Sequence, residues 1–394
     1  MVACTPRTVD LDPTPSSPAP STAQQVAAFF AAARTGDQAT FQAATSTRDP
    51  SFTDRARLLF SNLSTLPLTR LDVTLNGDER PVEPERTKLF GAGAWTQSVT
   101  LQWQLRGEET PAEHRVWLTL VADDGVRVAG ASEPPPGVPR TPQPIWWRGP
   151  VTAAAAVGVL VLLGSGHRAE RWSPRTTEAL REVRRHAPAG LHLADEDVVF
   201  EVPASEADFE AVVGVPPGSY DTVAAAAVVE GPAPNAAVHV VVNPTAERRL
   251  SDQGLGVALT HETVHVVTRS PISPAPTWAV EGLADYVALR AYPQARAGVF
   301  APLRARVRST AEEVTLPTDS AFAADAPEVA VAYASAWSFA QVVADTYGAP
   351  GLGRLYAALD AGTSLEDAAR GSLGVSEKRL LAAWRRDLSR RAGR

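Results

Sequence analysis

Leu259-Thr260-His261-Glu262-Thr263-Val264-His265 is the stretch on which the reading of the whole chain turns. His261 and His265 are four residues apart, so on a helix both imidazoles leave one face and can reach a single ion. Glu262 sits beside them and can point at a water in that ion's open position. The plainer reading is a helix whose two histidines make local polar contacts. Residues 277–286, TWAVEGLADY, separate the two readings. Glu281 follows His265 by 16 residues, past a turn holding Pro271, Pro274 and Pro276, on a second predicted helix. A carboxylate delivered to two histidines completes a His2Glu set for Zn2+ and leaves one coordination position open. Asp285, one turn beyond Glu281, is placed to accept the outer N–H of a zinc-bound imidazole, His261 by preference, and so fix its tautomer.

At these residues the chain resembles the gluzincin metallopeptidases, the peptidase MA-like group with H-E-x-x-H and a downstream E-x-x-x-D or E-G-x-A-x-Y helix. The resemblance covers about residues 195–350. It implies a zincin-like sheet followed by a helical lobe, with His261, His265 and Glu281 as zinc ligands. It also implies Glu262 as general base and Asp285 as the carboxylate behind the ligands. The Gly-x-Met-x-Asn signature of the large aminopeptidases is missing, which argues against aminopeptidase activity. Residues 332–348, AYASAWSFAQVVADTYG, resemble a later helix that packs beside the metal in these proteins. Tyr333 is then the phenol expected to meet a developing oxyanion; the alternative is a half-buried packing residue, and Tyr286 and Tyr220 are its rivals. The resemblance further implies a substrate-binding edge strand at residues 238–244, VHVVVNP. His239 on that strand either faces the cleft or is satisfied by solvent or local partners.

The remaining sequence bounds the setting. A chain of 394 residues suggests two or three domains, and 44% apolar with 21% charged residues is an ordinary globular balance. Cys4 is the single cysteine, which excludes an internal disulfide and a Cys-based zinc cluster. A net charge of −7 argues against a general nucleic-acid binder. Residues 23–44 read as helix broken at Gly36. Residues 71–75, 95–105, 114–122 and 126–131 read as strands, with Trp95, Val99, Leu101, Trp103 and Leu105 on one face and a hairpin turn at 122–125. Helices followed by a curved antiparallel sheet, opening on FFAAARTGD, resemble an NTF2-like domain over about 22–132. A small α+β domain with a solid core reads the same residues equally well. Residues 133–144 hold six prolines in twelve positions and read as a stiff linker.

Beyond it, strands and helices alternate: helix 175–186, strand 198–202, helix 205–213 with a Ser205 cap, strands 222–229 and 237–242, then mostly helix from Gly254. The C-terminal residues 376–394 read as an amphipathic cap. The expected organisation is α+β: a tether at 1–21, an NTF2-like domain at 22–132, a Pro-rich linker at 133–146 and a gluzincin-like domain at 147–394. Gly164-Ser165-Gly166-His167-Arg168-Ala169 fits G-x-G-x-x-A, but a dinucleotide site needs a helix starting there, and Trp172-Ser173-Pro174 reads as an interruption.

Met1-Val2-Ala3-Cys4 resembles the end of a bacterial lipobox, and residues 5–22 form a Pro/Ser/Thr-rich tether. This points to an extracytoplasmic protein lipid-anchored through Cys4; a cytoplasmic protein with an accidental cysteine is the alternative. Residues 151–164, VTAAAAVGVLVLLG, read as two short buried strands turning at Gly158, or as one membrane span flanked by Trp146 and Trp147. The functional expectation is zinc-dependent hydrolysis of a peptide or protein substrate. Its alternatives are a surface-anchored binding protein with a degenerate or structural zinc site, and a single-pass membrane protease.

Overall fold

A computed structural model describes residues 20–132, 134, 137–219, 223–309, 313–323 and 325–393. The Cys4 lipobox and most of the tether lie outside the described residues, as does Tyr220.

The N-terminal half opens on α1 (Thr22–Thr35), started by a reciprocal cap between Ser21 and Gln24 and ended by Gly36 at φ 72°. α2 (Gln38–Ala43) and α3 (Pro50–Thr65) follow, each capped by an aspartate, Asp37 and Asp49. β1 (Leu68–Leu75), the short β2 (Arg80–Pro81), α4 (Pro84–Phe90), β3 (Trp95–Leu105), β4 (Ala112–Ala122) and β5 (Val126–Ser132) complete it. The strands form an antiparallel sheet in the order β1-β3-β4-β5, with β2 also on β3. Val99, Leu101, Trp103 and Leu105 are fully buried on one face of β3, under Val26, Phe29 and Phe30 of α1. Trp95, the fifth residue expected on that face, is only half-buried at the strand's start.

The described stretch 137–144 of the Pro-rich segment is tied to both halves. Thr141 Oγ1 donates to Arg115 O (3.0 Å), and Gln143 N–H donates to Ala211 O (3.0 Å). It runs into α5 (Ile145–Arg148), whose Trp146 lies edge-on to Trp103 with ring centroids 6.0 Å apart. Trp146 and Trp147 are buried in protein, so they do not flank a membrane span.

The C-terminal half starts with β6 (Val151–Ala156) and β7 (Val159–Gly164), an antiparallel hairpin turning at Gly158, φ 73°. The membrane-span reading of residues 151–164 therefore fails, and among the described residues no helix is long and apolar enough to cross a membrane. The apolar run has another cause. Leu160 and Leu162 of β7 face the N-terminal half, while Val159, Val161 and Leu163 face the C-terminal helices. A strand buried on both faces reads as a continuous apolar run.

α6 (Ala169–His186) starts directly after β7, contrary to the interruption expected at Pro174. Proline costs one backbone hydrogen bond there, but Trp172, Ala179, Leu180 and Val183 are anchored in the core. Gly164 is explained by packing: a Cβ there would lie 2.6 Å from Ala204 N. β8 (Val198–Val202), α7 (Glu206–Val213), β9 (Ala225–Val229) and β10 (Val238–Val242) complete a sheet ordered β6-β7-β8-β10-β9. β7, β8 and β10 are parallel, and β6 and β9 are antiparallel edges.

The helical lobe comprises α8 (Asp252–Thr268), α9 (Thr277–Ala291), α10 (Arg296–Ser309), α11 (Val329–Tyr347), α12 (Ala349–Asp360), α13 (Leu365–Leu373) and α14 (Glu377–Ala392). Phe339 of α11 is wedged between Trp278 and Trp384, at centroid distances of 5.1 and 5.8 Å. α14 buries Leu380, Trp384, Leu388 and Ala392 along one stripe, and Trp384 Nε1–H donates to Ser338 Oγ (2.9 Å). The chain is thus α+β, with two five-stranded sheets and a C-terminal helical lobe.

Candidate metal centre

α8 carries His261, Glu262 and His265, and its cap is Ser251, which accepts from Gly254 N–H. The helix ends at Arg269 in the left-handed region, φ 52°. The Arg269 side chain secures that turn, donating to Glu196 Oε1 (2.9 Å) and to the carbonyls of Asn235 (3.0 Å) and Ala236 (2.8 Å). The chain then reverses through Ser270–Ile272 and starts α9 after Pro276.

The reversal brings Glu281 of α9 against both histidines. His261 Nε2 lies 3.0 Å from His265 Nε2 and 3.1 Å from Glu281 Oε2; His265 Nε2 lies 3.6 Å from that same oxygen. Tetrahedral zinc with bonds near 2.0–2.1 Å separates its ligands by about 3.3 Å, so the three donors are spaced as such an ion requires. The outer nitrogens are engaged: His261 Nδ1 with Asp285 Oδ1 (2.8 Å) and His265 Nδ1 with Ser270 Oγ (2.8 Å). Asp285 can only accept when ionised, so His261 donates from Nδ1 to it, and the Nε2 atoms of both rings face Glu281. Three carboxylates, Glu262, Glu281 and Asp285, surround these two imidazoles.

The electrostatics agree. Burial alone would lower the His261 pKa, but the hydrogen bond to Asp285, its charge and the bond to Glu281 hold it well above the usual histidine value. Glu281 is held far below the usual carboxylate range; burial opposes this, and His265 and His261 outweigh it. Among the described residues, His261, His265 and Glu281 form the one group whose donor atoms all lie within 4.8 Å of one another.

These residues open onto a cleft of about 500 Å³, walled by Ala225, Ala226 and Ala227 of β9 on one side and by Phe322, Val329 and Tyr333 on the other. Glu262 is partly exposed to the cleft, and its Oε2 accepts from Ala227 N–H (2.8 Å). Burial raises its carboxyl, against the pull of His261 and His265. Tyr333 reaches the cleft with its ring centroid 6.3 Å from that of His261, and Phe322 packs edge-on against it at 5.2 Å. Tyr286 is 1% exposed inside the helical core, with the Arg290 guanidinium over its ring, so it is not the cleft's phenol.

One expectation for the strand at 238–244 needs correction, and the alternatives for His239 are decided in favour of buried partners. β10 is interior, between β8 and β9, so the edge beside the cleft is β9. His239 does not face the cleft or solvent. It is fully buried on the opposite face of the sheet, bonded to Glu108 Oε1 (2.6 Å) and Glu201 Oε1 (3.1 Å). Sequence reasoning also missed Ser270, which lies five residues after His265 with no motif around it.

Gly282, next to Glu281, has a structural task. A Cβ there would lie 2.6 Å from Ala336 O, because α9 and α11 cross in backbone contact. Gly282→Ala should push the helices apart, destabilise the chain by about 1–3 kcal/mol and weaken zinc binding by displacing Glu281. Thermal unfolding and a zinc titration check this; unchanged values in both would show that the crossing has slack.

No protein-family model matches the chain, and no curated protein matches its sequence.

Proposed function

We propose that the chain is a zinc-dependent peptidase, with His261, His265 and Glu281 holding the metal and Glu262 as general base. One observation carries the reading: three ligand donors at zinc-compatible spacing, with Glu262 beside them, floor a cleft that an edge strand walls. The gluzincin resemblance, carried by the motifs that hold these same residues, supports it as well.

A zinc ion bound there would supply Lewis acidity for the scissile carbonyl and acidify water. The chain's own groups do the rest. Glu262 takes the proton of the attacking water and hands it to the leaving amine. Tyr333 donates toward the oxygen that gains charge. β9 presents outward backbone groups to an extended substrate: Ala227 N–H is taken by Glu262, and strand alternation turns the backbone groups of Ala225 and Val229 to the same side. Asp285 and Ser270 keep the two imidazoles oriented. The lipobox resemblance around Cys4 and the tether support an extracytoplasmic, lipid-anchored location, and the N-terminal half supports an NTF2-like relationship through its helices and antiparallel sheet.

The test is hydrolysis of a mixed peptide pool by the zinc-reconstituted chain, before and after chelation. We expect chelation to abolish hydrolysis while circular dichroism shows the fold retained. Hydrolysis that survives chelation would overturn the metal mechanism, and unfolding on chelation would make the site structural.

A further inference from the structure

The junction between the two halves holds a cluster of ionisable groups that the cleft does not use. His114 of β4, Glu108 of the β3–β4 loop, Glu201 of β8, His239 of β10 and Glu230, the residue directly after β9, meet there out of contact with water. Trp103 Nε1–H donates to His114 Nδ1 (3.1 Å). An indole nitrogen only donates, so His114 carries its proton on Nε2, which faces Glu230 Oε2 at 3.0 Å. His239 lies between two carboxylates, Glu108 Oε1 at 2.6 Å from Nε2 and Glu201 Oε1 at 3.1 Å from Nδ1, with Glu230 Oε1 at 3.7 Å. Each ring nitrogen of His239 thus has a buried carboxyl partner, one from each half of the chain.

The backbone is tied at the same place. Glu230 O accepts from Glu113 N–H of β4 (2.6 Å), and Glu230 N–H donates to Ala237 O (2.8 Å). Gly231 lies so close to β4 that a Cβ would fall 2.9 Å from Glu113 Cβ. Glu230 is three residues beyond Ala227, about 10 Å along an extended strand. Ala227 N–H holds Glu262.

We propose that the N-terminal half is a positioning element for the metal cleft, gripping the end of β9 at Glu230 and thereby setting where the strand presents Ala227 to Glu262 and to substrate. The cluster's own balance supports a tight grip. Burial would lower His239, but Glu230 and Glu108 hold it well above the usual histidine value. Burial would raise Glu230, and His239 and His114 bring it below the usual carboxylate value. Burial raises Glu201, and the contacts His114–Glu230 and His239–Glu108 cross the junction, so these buried groups keep their partners only while the halves stay docked.

The inference rests on the peptidase reading for its meaning, but its test does not depend on activity. Hydrogen exchange is followed by mass spectrometry in the full-length chain, comparing residues 223–231 with α8 in wild type and Glu230→Ala. We expect exchange across β9 to rise at least tenfold, with α8 changed less than twofold and zinc content unchanged. Glu230→Gln, which keeps the side chain's shape and removes its charge, should raise β9 exchange at least threefold and serves where Glu230→Ala does not fold. Unchanged β9 protection in a folded variant overturns the proposal, and so does equal acceleration in β9 and α8, which would mark the cluster as general glue. A wild-type chain that binds no zinc would sink the peptidase reading and leave this comparison intact.

Discussion

Glu262→Gln should lower kcat for peptide hydrolysis by about 10²- to 10⁴-fold, the usual range for a positioned general base, while zinc stays bound. The substitution isolates proton transfer. Glutamine matches glutamate in shape, and its Oε1 can accept Ala227 N–H as Glu262 Oε2 does at 2.8 Å. The side chain therefore has reason to stay in place, and β9 keeps its tie to α8. What is lost is a group able to take a proton from water and return it. Glu262 is not one of the three converging donors, so metal content should remain at the wild-type value by elemental analysis. KM should move little, because the cleft walls of β9, Phe322 and Val329 are untouched. A kcat within threefold of wild type would remove Glu262 from the mechanism and turn attention to another base in the cleft.

What was legible at this site is the placement of its side chains. Two histidines four apart share one helix face, and Asp285 falls one turn from Glu281 by helical repeat alone. The strand pattern was legible for a different reason. β3 has one buried face and alternates, whereas β7 is buried on both faces and reads as unbroken apolar sequence. That second pattern is ambiguous with a membrane segment until its length and its glycine at 158 are weighed.

What could not be read depends on contacts between distant residues. The edge position of β9 follows from sheet order, and sequence order suggests β10 just as well. Ser270 gains its role only because the turn at Arg269 swings it back under His265. His239 is explained by Glu108, 131 positions earlier, and no local pattern links them. Pro174 misled because local propensity was weighed without the core that anchors α6 through Trp172.

His265→Ala should reduce zinc stoichiometry from about one per chain to near zero after dialysis against zinc-free buffer. The set of three donors becomes two, and no other described group of three or more His, Cys, Asp or Glu residues has donor atoms this closely placed. The fold should survive, because α8 and α9 are held by Leu259, Val264, Trp278, Leu283 and Tyr286 in the main core rather than by the metal. A catalytic ion then adds only linkage stability, about 2.7 kcal/mol when free zinc is a hundred times its Kd, and the variant should unfold where the chelated wild type does. Ser270→Ala is the graded companion. It leaves all three donors but frees the His265 ring to turn, so zinc should bind about 10- to 100-fold more weakly. A competition titration with a metal indicator ranks the three chains, and the order wild type, Ser270→Ala, His265→Ala is required if the imidazole and its support act as described. Full zinc content in His265→Ala would take that residue out of the ligand set. An unfolded His265→Ala chain beside a folded chelated wild type would mean that the imidazole supports packing as well as metal.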